Sequence, residues 1–270
     1  MAKYKKKRVR ELRHDRFRDT TMGLLERLGD KLEGKGRTIL YAIAGVVILA
    51  ILTGLYVNWS NRKDNEARRA LGRAITIATT PVSGTPSTDP STPTFPTERE
   101  RAQRAVEEFQ KVGAKYGDPY RAEARYFAAT NLLQFDRAKG MSELSELSKS
   151  DNREVATLSK FALGQAKESD GNLDEAAQLY REIAAQNGVI VTPEVANLRL
   201  AGVYDKQGKK NEAADLLFNI VEASRKARDA EGLPIPASPV ATEAAKQLEK
   251  IDAARYAQLT PEAPRTDLPF

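Results

Sequence analysis

The chain has 270 residues, 41 % hydrophobic and 30 % charged, a composition typical of folded proteins rather than collagen-like or wholly disordered ones. It has no cysteine and one histidine, which excludes disulfides and zinc sites built from several Cys or His ligands. The net charge of +6 is unevenly placed. Residues 1–37 carry 13 Lys+Arg against 6 Asp+Glu, and the remainder carries 30 against 31.

Residues 1–20 form a basic tail with too much charge to build a core. The charge could set membrane topology and contact anionic lipids, contact RNA or another nucleic acid, or do both. We favour lipid and topology over nucleic acid, because they suffice to explain the charge. An amphipathic helix at 21–33 should lie in the membrane interface beside the tail. The predicted lipid contacts are Lys3, Lys5, Lys6, Lys7, Arg8 and Arg10.

Residues 39–57 form an uncharged run of nineteen residues. As a helix with a rise of about 1.5 Å per residue it spans roughly 28 Å, close to the hydrocarbon thickness of a bilayer. Tyr41 at one end, and Tyr56 and Trp59 at the other, occupy interfacial anchor positions. We therefore predict an uncleaved transmembrane helix over 38–59. The alternatives are a buried core helix, which is seldom uncharged for so long, and a cleaved signal peptide, for which no A-x-A site follows.

The orientation of this helix depends on basic residues. Within twenty residues of the run, four Lys or Arg precede it and five follow it, which is nearly a tie. The nine basic residues of the tail favour a cytoplasmic N-terminus. The C-terminal part then faces the periplasm from a bacterial inner membrane. The alternative places that part on the cytoplasmic side.

Beyond the span the pattern predicts an all-α domain. Residues 61–78 have helical periodicity, and residues 79–97 form a Pro/Thr-rich insertion with five of the thirteen prolines, expected to be mobile. Further helices follow, separated by Gly and Pro breaks. The only β-like fragment is NGVIVT at 187–192.

A pattern of small and large residues repeats at offsets of 36 and 37 residues. A single helical hairpin cannot bury both of its faces, so such copies must stack. A small residue lies where the first helix of each hairpin approaches its neighbour. In the second helix another small residue permits close helix crossing, and a large residue four positions later fills the gap between hairpins. These residues are Ala128, Gly164 and Ala201; Gly140, Ala176 and Ala213; and Leu144, Tyr180 and Leu217, with Gly171 and Gly208 closing two of the first helices.

The segments GNLDEAAQLYREI at 171–183 and QGKKNEAADLLFNI at 207–220 resemble the tetratricopeptide repeat. The resemblance implies an α-solenoid of helical hairpins over 60–258, followed by a disordered tail at 259–270. The order of basic tail, span and repeat domain is similar to that of anchored periplasmic proteins related to the ancillary subunit of the Sec translocon. That similarity implies protein partners such as the translocon or periplasmic chaperones.

Matching the repeat pattern also places a partner-binding groove on the first helices. Its predicted residues are Glu66, Arg69, Arg73, Arg125, Gln165, Glu168, Asp205 and Lys206. The alternative for each is a solubilising surface residue.

The segment Gly29 to Gly36 nearly matches a phosphate-binding loop, but Gly36 replaces the required Ser or Thr, and we interpret its glycines as a hinge. Because the sequence has no recognisable catalytic constellation, cofactor motif or set of metal ligands, we predict a non-enzymatic scaffold.

Overall fold

A computed structural model describes residues 36–83, 94–186 and 188–262, with the side chains of 36–44 outside that description. The predicted basic tail, the amphipathic helix at 21–33 and the glycine hinge before Gly36 therefore lie outside the described residues, as do 84–93 of the insertion. The chain divides into two compact units, Met1–Asn65 and Glu66–Phe270, six residues beyond the boundary expected from the sequence.

The described residues form ten helices and no strand, which confirms the all-α prediction. Residues 188–192 of the β-like fragment instead form a bend before a helix that Thr192 caps. Two isolated bridges, Val82 with Phe95 and Arg228 with Pro234, are the extended pairings present in the described part of the chain. The helices are α1 Gly36–Thr79, α2 Glu98–Lys115, α3 Tyr120–Leu132, α4 Arg137–Leu147, α5 Arg153–Ser169, α6 Leu173–Ala184, α7 Pro193–Lys206, α8 Lys210–Lys226, α9 Pro239–Ile251 and α10 Ala253–Tyr256.

Helix α1 contains the whole apolar run in its 44 residues. Among the residues that the structure describes, no helix is both long enough and apolar enough to cross a membrane. The span predicted over 38–59 is therefore not confirmed and stays a prediction, and the Tyr41 side chain lies outside the description. Tyr56 and Trp59 are exposed, with ring centroids 6.4 Å apart, and the Lys63 ammonium lies 3.7 Å from the Trp59 ring centroid.

In the second unit each helix from α2 onward packs against its neighbour in the chain, and α3 also packs on α5 and α7 on α9. Side-chain oxygens of Thr97, Asp136, Asn152, Thr192 and Ser238 cap the helices that follow them, which fixes where those helices begin. This order of antiparallel hairpins is consistent with an α-solenoid.

Glycine closes two first helices as the repeat predicts. Gly171 and Gly208 adopt φ of 78° and 75°, a left-handed conformation that L side chains rarely adopt. Each begins a turn of a few residues into the second helix of its hairpin. The predicted turn chemistry is thereby confirmed for the hairpins α5/α6 and α7/α8.

The core follows the repeat. Buried side chains form four clusters along the stack, and the large residues of the second helices, Phe109, Leu144, Tyr180 and Leu217, are almost completely buried. The small residues allow the close approach that this packing needs. A Cβ placed on Gly164 would lie 2.9 Å from Cε1 of the Tyr180 ring. The predicted roles of small and large residues are confirmed.

The C-terminal segment closes the stack. Leu259 is buried against α8 and α9, and Thr260 donates its amide and hydroxyl to the Glu222 carboxylate at 3.0 and 2.7 Å. Arg225 Nη1 donates to the Thr260 carbonyl at 2.7 Å. The sequence predicts a disordered tail from residue 259. Its first residues are instead held, because one apolar side chain reaches the core and the backbone finds charged partners.

Hydrogen bonds from Lys226 and then Thr260 lower the pKa of Glu222 from its usual 4.5 to about 2. A carboxyl whose pKa is lower in the folded state stabilises the fold above its unfolded pKa. This stabilisation is complete above about pH 4.5 and is lost as pH falls toward 2.

We predict that Gly140→Ala lowers the free energy of unfolding by about 1–3 kcal/mol, because overpacking displaces its neighbours. The added Cβ would lie 2.9 Å from both the Ala129 carbonyl oxygen and the Leu133 amide nitrogen, backbone atoms that cannot rotate away. Gly202→Ala is the matched control: its Cβ meets nothing within 4 Å. It should raise stability by roughly 0.5–1 kcal/mol through helix propensity. Urea denaturation followed by circular dichroism measures both, and changes of the same sign would contradict the packing.

We predict that Glu222→Gln lowers the melting temperature at pH 7 and that the difference from the unchanged protein shrinks as pH falls below 4.5. The reason is that the carboxylate contributes only while it is ionised. Glu212→Gln, on the exposed surface of the same helix, serves as the control. Thermal melts at steps from pH 7 to pH 2.5 make the measurement, and a constant difference across this range would contradict the assignment.

Candidate functional site

The eight predicted groove residues all lie on first helices of successive hairpins, and we call this set the first-helix face. Glu66, Arg69 and Arg73 lie on α1, and Arg125 lies on α3. Gln165 and Glu168 are on α5, whereas Asp205 and Lys206 are on α7.

Glu168 joins three helices. Its Oε1 accepts a hydrogen bond from Lys206 Nζ at 2.6 Å, and its Oε2 accepts one from the Tyr180 hydroxyl at 3.0 Å. Burial, with a further contribution from Glu168, raises the pKa of Tyr180, so the hydroxyl stays protonated and donates. The Glu168 side chain is 13 % exposed and that of Lys206 is 55 % exposed. The structure therefore brings these two predicted residues together as a link between hairpins.

Arg125 is likewise held within the domain. Its guanidinium pairs with Glu143 and Glu146 on α4, at 2.9 and 3.1 Å. The hydrogen bond from Arg125 to Glu143 is the largest cause of the raised pKa of the guanidinium. Besides the ion-paired Lys206, five predicted residues of the first-helix face have exposed side chains: Glu66, Arg69, Arg73, Gln165 and Asp205.

A cleft of about 380 Å³ opens between α4, α5 and α6, on the side of the second helices. We call it the α4–α6 cleft. Its apolar residues are Met141, Leu163 and Leu179, and its rim carries the ion pair of Lys167 with Glu175 at 2.8 Å. Ser142, Ser145 and Gln178 complete the lining. Because its lining combines apolar side chains with hydrogen-bonding groups, the cleft suits an apolar side chain carried on a polar peptide backbone.

A second cleft, of about 250 Å³, lies between α2, α3 and α4. Phe109, Ala128 and Leu132 supply apolar surface, and Arg121 and Lys139 add positive charge. Arg125 is the one member of the first-helix face that lines it. Both clefts are thus bordered by second helices rather than by the face that the repeat pattern favoured.

Sequence reasoning missed both clefts. The available signal was that Met141 and Leu179 are apolar, yet neither occupies a small or large position of the repeat. Both are half-buried in the structure. Both pack against the edge of the core cluster that includes Leu144 and Leu163, and their remaining surface is left open between neighbouring second helices.

The described residues contain no group of three or more His, Asp or Glu placed to hold a metal ion. Buried polar side-chain atoms without a hydrogen-bond partner there are Arg101 Nε, Ser159 Oγ and Gln207 Oε1. They lie on separate elements and do not form a common site.

Comparison of the chain with protein-family models, with curated proteins and with solved structures finds no match.

Proposed function

We propose that this chain is a non-enzymatic scaffold, anchored by one membrane span, that presents a helical-repeat domain to a protein partner. The observation that carries the proposal is the α4–α6 cleft, with its apolar lining and hydrogen-bonding rim. At about 380 Å³ the cleft falls in the size range of ligand sites, roughly 300–1,000 Å³. Its Lys167–Glu175 pair and two serines can hydrogen-bond a peptide while the apolar side chains receive one anchoring residue.

The finer assignment to tetratricopeptide-like hairpins is part of the proposal. It is supported by the left-handed glycines at 171 and 208, by the buried large residues four positions after small ones, and by packing between hairpins adjacent in the chain. Repeat domains of this kind bury a continuous core by stacking, which leaves long surfaces available for proteins.

The membrane anchor is supported by the uncharged run at 39–57, which is helical throughout within α1. The large side chains of the run from Val46 to Val57 are exposed, with no protein surface covering them among the described residues. Trp59 and Lys63 together form a pair suited to the membrane interface, an aromatic ring beside an ammonium group.

The basic tail supports an inner-membrane location with a cytoplasmic N-terminus and a periplasmic domain. In that setting we propose an accessory to secretion, to chaperones or to envelope assembly. In the alternative, the domain lies in the cytoplasm and acts as a regulatory adaptor. Alkaline phosphatase fused to the C-terminus is active in the first arrangement and inactive in the second.

We predict that a photo-crosslinking residue at Gln178, on the rim of the α4–α6 cleft, captures a discrete protein partner in intact cells. The same residue at Gln165 reports on the first-helix face, and at the exposed Glu243 of α9 it serves as the control. Leu179→Asp should abolish capture at position 178, because a carboxylate would replace part of the apolar lining that receives the anchoring residue.

Recovery of crosslinked protein from Gln165 alone would move the binding site to the first-helix face. Equal capture at all three positions, or undiminished capture in Leu179→Asp, would contradict a specific site in the cleft. Circular dichroism of each variant confirms that the helices are retained.

A further inference from the structure

The first helices of the second unit begin at one end of it, which we call the leading end. Near the start of the unit, Arg68 Nε donates to the hydroxyl of Tyr120, the first residue of α3, at 3.0 Å. The pKa of Glu123 in α3 is raised by burial and then by the charge of Glu154, in the first turn of α5. The remaining first helices, α7 and α9, pack on each other. Because successive helices are antiparallel, every connection from a second helix to the next first helix also lies at the leading end.

Two of these connections carry solvent-exposed aliphatic side chains. They are the segment 188–191 before α7 and the segment 227–238 before α9. We call them the apolar loops. Within the described part of the second unit, they hold all the large hydrophobic residues that are exposed: Val189 at 91 %, Ile190 at 48 %, Leu233 at 61 % and Ile235 at 46 %.

Two of the connections at the opposite end are polar. Asp170 and Asn172 flank the turn between α5 and α6, and Gln207 and Lys209 flank the turn between α7 and α8. Exposed aliphatic residues gathered at one end of a domain mark a surface that meets something apolar.

The longer apolar loop is already ordered. The amide nitrogen of Asp229 donates to the Leu233 carbonyl at 2.9 Å, and the Asp229 carboxylate accepts from the amides of Glu231 and Leu233. Ile235 donates its amide to the Ala227 carbonyl at 3.2 Å. A loop that is fixed before contact loses little conformational freedom on binding, so its exposed side chains are presented at low entropic cost.

The short segment between the apolar run and the second unit favours lipid as the partner of the apolar loops. Only residues 58–65 separate the last residue of the apolar run, Val57, from Glu66 at the leading end. Even fully extended, a segment of this length reaches at most about 30 Å. If the run spans a membrane, as the proposed function holds, Glu66 at the start of the leading end stays within that distance of the lipid surface.

We infer that the apolar loops insert Val189, Ile190, Leu233 and Ile235 into the headgroup boundary of the bilayer, which gives the domain a second membrane contact. This inference rests on the proposed membrane anchor. The contact is apolar rather than electrostatic, because Asp229 and Glu231 flank the aliphatic residues along with Arg228. It should therefore form on zwitterionic lipid and persist in high salt.

The absence of cysteine allows a direct test with single labels. Val189→Cys and Leu233→Cys probe the apolar loops, Ser169→Cys at the opposite end is the control, and Leu52→Cys probes the anchor. Each full-length variant carries the fluorophore NBD and is reconstituted in phosphatidylcholine vesicles with or without doxyl-labelled lipid. We expect blue-shifted emission and strong quenching by doxyl lipid at positions 52, 189 and 233, unchanged in high salt, and little quenching at 169.

The outcomes separate the two claims. Quenching at 52 with none at 189 and 233 would overturn the loop insertion and leave the anchor in place. Absence of quenching at 52 would refute the anchor, and the loop insertion with it. If labels at 189 and 233 are shielded from aqueous iodide but not quenched by doxyl lipid, a second copy of the chain covers the loops and the inference is wrong.

Discussion

The contact between Tyr180 and Gly164 shows the constraint on which the fold depends. The tyrosine ring is completely buried and lies so close to the glycine that a single added carbon would meet it at 2.9 Å. A helical hairpin has two apolar faces and can cover only one of them itself. Within the hairpin α5/α6, the glycine lets the large ring fill the space between the two helices. The other face must be covered by the next hairpin, and the same tyrosine belongs to the core cluster that includes Ala196, Leu200 and Val203 of α7. The same pairing of small and large residues recurs along the chain, which is why the domain grows by addition of hairpins.

The polar contacts reinforce this arrangement. Glu168 receives the hydroxyl of that same tyrosine and also the ammonium of Lys206, so one carboxylate connects α5, α6 and α7. At the far end the stack would expose the last apolar face, and Leu259 covers part of it while Thr260 binds Glu222. Stacked repeats need such caps, because an uncovered terminal face would associate with other molecules. The sites proposed for function lie on surfaces that no neighbouring hairpin covers, in the clefts beside second helices and in the loops at the leading end.

Much of this architecture is readable from sequence because its signals are local. Glycine at 171 and 208 marks the left-handed turn, and spacing of small and large residues marks the hairpins. The α4–α6 cleft is not readable in this way, since its volume depends on how far neighbouring second helices separate. The C-terminal cap was missed because Leu259 is a lone apolar residue in a polar segment. The fragment at 187–192 resembled a strand because it is apolar, yet among its described residues only Val191 is buried, and Val189 and Ile190 are exposed.

The predicted membrane span and the predicted first-helix face differ in how the structure bears on them. The apolar run is helical along its whole length, yet its passage through a bilayer remains a proposal. The eight residues of the first-helix face all lie on first helices, but three of them form ion pairs within the domain. A periodic pattern places side chains on a face without showing which neighbours they meet, and those neighbours decide whether a charge is available to a partner.

The central claim is that each hairpin is stabilised by its neighbours rather than by one common core. Native-state hydrogen exchange of the full-length protein, with and without Tyr180→Ala, tests it most directly. The account predicts that amides in α5, α6 and α7 lose protection together, while those in α2 and α3 keep most of theirs, since stacked repeats interact chiefly with adjacent ones. Equal loss of protection from α2 to α9 would show a single cooperative core and contradict the account.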